Sequence, residues 1–93
     1  MKNKFSVAEI VKSIKGRDKD NLYLIYKVEC DKIYLVNGDT KLIENPKVKN
    51  DKHLESMGIV VENLKDKIQN NKTIYDAEIY SALRKFKQNL KGE

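Results

Sequence analysis

The run Leu22–Glu29 alternates with period two and carries large apolar side chains on both faces. Leu22, Leu24, Tyr26 and Val28 point one way, Tyr23 and Ile25 the other. Such a strand needs cover on each side, so it belongs in a curled sheet whose interior takes one face while another part of the chain takes the second. The flanking residues supply the rest of that sheet. Residues 7–14 alternate and read as a first strand; Lys32–Val36 follows after the two-residue connection Cys30-Asp31. Asn37-Gly38 is a strong hairpin signal, because both residues tolerate positive φ. It predicts a fourth strand over residues 40–43, ended by Pro46, and residues 53–57 form a short fifth strand with Gly58 marking its end. Five short strands in under sixty residues favour a small barrel over an open sheet with long exposed edges.

Beyond Gly58 the period changes to that of a helix. Val60 or Val61, Leu64 and Ile68 predict a short helix ending near Asn70-Asn71, and Ile79, Leu83, Phe86 and Leu90 form one stripe of a second, starting at Tyr75 or Asp76. That stripe must be buried, and Tyr23 and Ile25 are the partners expected for it. The fold class is therefore mainly β with C-terminal α: residues 1–58 a five-stranded barrel and residues 59–93 a helical extension packed on it, as one structural unit. A chain of 93 residues suits one core of this size and not two.

Charge narrows the function. Nineteen Lys and Arg against fourteen Asp and Glu leave a net charge of +5, which favours a polyanionic partner. All of these cations except Arg17 and Arg84 are Lys, a bias that an AT-rich genome also produces. The two arginines stand out, since a guanidinium fork binds in ways an ammonium does not. One His, one Cys and no Ser-His-acid set or glycine-rich phosphate loop give no nucleophile with its base, so an enzyme is not expected. The same inventory offers no metal site and implies no cofactor and no small-molecule substrate. Residues 1–4 are basic but lead into no apolar run of the signal-peptide kind, and no segment approaches the ~20 apolar residues of a membrane span. A cytoplasmic protein with no membrane partner is the expectation.

The densest cluster of charge is the loop Lys15-Gly16-Arg17-Asp18-Lys19, between the first two strands. Gly16 permits a tight bend, Lys15, Arg17 and Lys19 project cations that can reach phosphates, and Asp18 is the expected internal partner of Arg17. Residues 46–52 form a second basic loop with Lys47, Lys49 and Lys52, available to extend the same surface. Tyr23, Tyr26 and Tyr34 can stack on bases but serve more simply as core and cover.

Together, Ile10-Val11-Lys12-Ser13, Gly16 and Leu22-Tyr23-Leu24-Ile25 resemble the KOW motif, a strand, a glycine-bearing loop and a second apolar strand. More narrowly, residues 15–19 resemble the loop of small bacterial KOW-domain RNA-binding proteins, which are similar to KOW-barrel large-subunit ribosomal proteins of archaea and eukaryotes. Lys52-His53-Leu54 and Asp76-Ala77-Glu78-Ile79 fit the later parts of that group. The resemblance implies an SH3-like barrel that binds RNA, ribosomal RNA first, through Lys15, Gly16, Arg17, Lys19, Lys47, Lys49, Lys52 and His53, in association with the ribosome, its proteins and translation. KOW domains also serve transcription elongation, and the absence of a companion amino-terminal domain turns the expectation towards the ribosome. The alternative is a protein-interaction module in which lysines only confer solubility. Two departures matter: Asp20 stands where the group has a second loop glycine, and Tyr75 where a Ser or Thr caps the last helix.

Overall fold

The computed structural model of the chain describes residues 5–91, with side chains to residue 89; residues 1–4 and the Leu90 side chain of the expected stripe lie outside the described residues. Strands β1 (Glu9–Ser13), β2 (Leu22–Glu29), β3 (Lys32–Val36), β4 (Lys47–Asn50) and β5 (Leu54–Val60) precede helices α1 (Glu62–Gln69) and α2 (Asp76–Lys91). The strands form one antiparallel sheet in the order β4-β3-β2-β1-β5.

Chain connectivity forces this sheet to curl. In a flat sheet the two edge strands, β4 and β5, would lie about 19 Å apart at ~4.8 Å per strand spacing. They are joined only by the single 3-10 turn Asp51–His53, which at ~2 Å rise per residue covers less than half of that. The turn is tied on both sides, with Asp51 N donating to Asp31 O at 2.9 Å and Ile14 N to His53 O at 2.9 Å. β4 and β5 do not pair with each other, so the sheet is curled and not closed.

The curl separates two packed clusters. Inside it, Val11, Tyr23, Ile25, Ile33, Leu35 and Leu54 pack with Phe5, bringing β5 against β3 although two strands lie between them. On the outer face, Ala8, Ile10, Leu24 and Val36 meet Leu64 of α1 and Ile79 and Leu83 of α2. The helices therefore cover the Leu24 side of β2. The expectation that they cover Tyr23 and Ile25 is corrected: the sheet encloses those two by bending over them. Val28 also changes face, because the β2–β3 register slips between Ile25 and Lys27 and returns it to the inner cluster.

Residues 40–43 are not a strand. Asn37 Oδ1 accepts from Asp39 N at 2.9 Å and Lys41 N at 2.8 Å, closing a turn that draws the backbone away from β3. Ile43 N then donates to Asp76 Oδ1 at 2.9 Å, tying this loop to the start of α2. The fourth strand is Lys47–Asn50, inside the stretch expected to be a basic loop. Its alternation is inverted, with Val48 exposed and Lys47 and Lys49 turned inward, an arrangement that protects an edge strand from pairing with other chains. β5 runs on through Gly58 to Val60, so this glycine lies within the strand.

At the α2 start, Glu78 Oε2 accepts from Tyr75 N at 3.0 Å and supplies part of the cap that Tyr75 itself lacks. Glu78 also pairs with Lys67 of α1, binding the two helices together. No helix of the described residues is long and apolar enough to cross a membrane.

Candidate nucleic-acid interface

The loop between β1 and β2 is closed by two backbone bonds, Asp20 N to Ser13 O at 2.7 Å and Ser13 N to Asn21 O at 3.0 Å. Two residues within it adopt left-handed backbone, Gly16 at φ 91° and Asp20 at φ 75°. At Gly16 the positive φ favours glycine, and a Cβ there would also crowd the Lys49 ammonium at 3.3 Å.

Asp18 points back into the protein. Its carboxylate accepts from Ser13 Oγ at 3.0 Å and Tyr23 OH at 2.9 Å, and pairs with Lys49 Nζ at 3.1 Å and Lys47 Nζ at 3.8 Å. The side chains of Asp18 and Lys49 are only 12% and 13% exposed, so this contact is shielded from solvent in a way surface ion pairs are not. Burial by itself raises the Asp18 pKa, but the hydrogen bonds from Tyr23, Lys49 and Ser13 and the Lys49 charge outweigh it and hold the carboxyl at about 2. The Tyr23 hydroxyl is pushed up by burial and by the carboxylate it donates to. Asp18 thus clips the β1–β2 loop to β1, β2 and the edge strand β4. The expected pairing of Asp18 with Arg17 is corrected, since the carboxylate oxygens are occupied by Ser13, Tyr23, Lys47 and Lys49.

The clip divides the candidate cations into two sets. Lys47 and Lys49 are held by Asp18; Lys49 is nearly buried, while Lys47 remains 32% exposed. Lys15, Arg17 and Lys19 are exposed and make no ion pair among the described residues, and the same is true of Lys52. Lys52 and the half-buried His53 lie in the 3-10 turn, whose backbone bond to Ile14 sets it beside the loop. Asn50 Oδ1 accepts from Lys52 N at 3.1 Å and fixes the start of that turn. Asp20, exposed on the same loop, is the countercharge.

Ser13 and Tyr23 were not among the residues expected to shape this site. Both lie at inward positions of their strands beside the loop, and a hydroxyl there, next to a loop carboxylate, is the pattern that marks them. Tyr34 is engaged elsewhere, its OH donating to Glu29 Oε1 at 2.9 Å and its ring facing Lys27 Nζ at 5.4 Å. Among the described residues no group of His, Cys, Asp and Glu is arranged to hold a metal ion. No family model matches this chain, and no curated protein matches it.

Proposed function

We propose that this chain is a non-enzymatic, cytoplasmic RNA-binding protein with an SH3-like barrel of the KOW type, docking on structured ribosomal RNA in association with the ribosome. The strong curl of the sheet, its edges joined through one 3-10 turn, supports the barrel reading. The observation that carries the functional reading is the split among the cations. One largely shielded carboxylate engages Lys47 and Lys49 and so fixes the loop, while Lys15, Arg17, Lys19 and Lys52 stay open to solvent. A rigid loop presenting unpaired cations suits the phosphate backbone, and recognition then rests on RNA shape more than on base sequence.

Salt dependence tests this. Each phosphate neutralised contributes a slope of about −0.9 on duplex or −0.7 on single strands to log K against log salt, so four open cations predict an overall slope of about −3 to −4. With purified ribosomal RNA, the paired substitution Lys15→Ala and Arg17→Ala should flatten the slope by about 1.5 to 2. A slope unaffected by the pair would refute the loop as the contact. Absence of RNA binding at physiological salt would return the chain to the protein-interaction class.

A further inference from the structure

Arg84, the second arginine of the chain, has no part in the loop site. It lies on α2 with Tyr80 and Lys87, at spacings of four and three residues that align them along one helix stripe. These three line one side of a groove of about 230 Å³; Leu22 and Leu83 line it as well, and the turn bearing Asn37 and Asp39 forms its other wall.

The groove is built on a rigid support. A Cβ on Gly38 would lie 2.2 Å from Asp76 O and 2.7 Å from Tyr80 N, so only glycine lets the turn and the first part of α2 approach this closely. Asn37 is engaged within its own turn, its Nδ2 donating to Thr40 Oγ1 at 3.1 Å, which fixes the rim. Tyr80 is nonetheless 45% exposed, an aromatic ring held at a surface with Arg84 one turn and Lys87 two turns further along the helix. Neither Arg84 nor Lys87 has an ion-pair partner among the described residues.

We infer that this groove binds one unpaired nucleotide of the RNA that the β1–β2 loop engages, its base stacked on Tyr80 and its phosphate held by Arg84 and Lys87. The inference rests on the RNA-binding reading. Continuity supports it: Leu22, the first residue of β2 after the loop, lines the groove, so groove and loop meet at the same end of β2. Charge supports it too: two cations on the same helix stripe as an exposed aromatic are the elements that hold single-stranded nucleic acid. Asp39 on the opposite wall repels phosphate and accepts from an amino group or ribose hydroxyl, which sets the nucleotide's direction in the groove.

Amide NMR on the full chain, titrated with a blunt RNA duplex and with the same duplex bearing a single-stranded adenosine tail, tests this. Both RNAs should shift residues 15–19, and only the tailed one should shift Asp39 and residues 80–87. The tail should tighten binding about fivefold to tenfold. Tyr80→Leu and, separately, Arg84→Ala should each abolish most of that gain and leave duplex affinity unchanged, while Tyr80→Phe keeps it. Loop shifts with both RNAs but a silent groove would overturn this inference and leave the RNA-binding reading intact. Groove shifts without loop shifts would overturn the loop assignment and retain the groove, and no shift with either RNA would overturn both.

Discussion

Asp18 is lowered to about 2 from an ordinary value of 3.8, so its ionised form is favoured by folding. A carboxyl whose pKa is depressed in the native state contributes stability that is present above its unfolded pKa and lost as pH falls towards the folded one. The loss therefore spans about pH 4 to pH 2, with about 2 kcal/mol at stake. Asp18→Asn should lower stability by about that amount at neutral pH, with the gap to wild type closing as pH falls through this window. Thermal melts of both proteins across the window check this, and a gap that stays constant would contradict it. Asp20 offers the opposite case. Its φ of 75° favours glycine, so Asp20→Gly should stabilise by about 0.5 kcal/mol, read as a higher denaturant midpoint at constant m-value. If the proposed function holds, removing that charge should also tighten binding to ribosomal RNA in the same salt titration. Both residues stand out in the sequence, but the Arg17 beside Asp18 is not its partner. Two of its partners, Ser13 and Tyr23, sit on β1 and β2 at the ends of the loop, but Lys49 sits on β4, which only the curl of the sheet brings to the loop.

Strands β2 and β3 and both helices were legible because each carries its own period of apolar residues. β4 was not, since an edge strand reading Lys-Val-Lys-Asn shows no apolar alternation, and the lysines that look like loop residues are those facing inward. Residues 40–43 failed for a related reason. Asn37-Gly38 does make a turn, but Asn37 closes it on its own amides and Gly38 serves the helix contact, so the chain does not return along β3. The helix stripe is plain in the sequence, but the face of β2 that it covers is not, because a strand apolar on both sides does not say which side the sheet will wrap. Gly38 is the hinge of this arrangement. Gly38→Ala would drive a Cβ into the α2 backbone and should cost on the order of 2–4 kcal/mol. Hydrogen exchange locates the damage: amides of α2 should lose protection before those of β1, β2 and β3, and a uniform loss would argue against helix undocking.

In the molecule as a whole, two clusters back to back on one sheet let a short chain bury both faces of β2, the inner one by curling and the outer one with helices. A net charge of +5 says little alone. What matters is that Asp18 draws two lysines inward, holding the loop rigid, while Lys15, Arg17, Lys19 and Lys52 stay exposed around it. The most direct measurement is ultraviolet crosslinking in cells with sequencing of the attached RNA, comparing wild type with the Lys15→Ala, Arg17→Ala double variant. The account predicts ribosomal RNA enriched at a defined structured site and lost in the variant. Equal recovery from both proteins, or RNA no different from a mock sample, would contradict it.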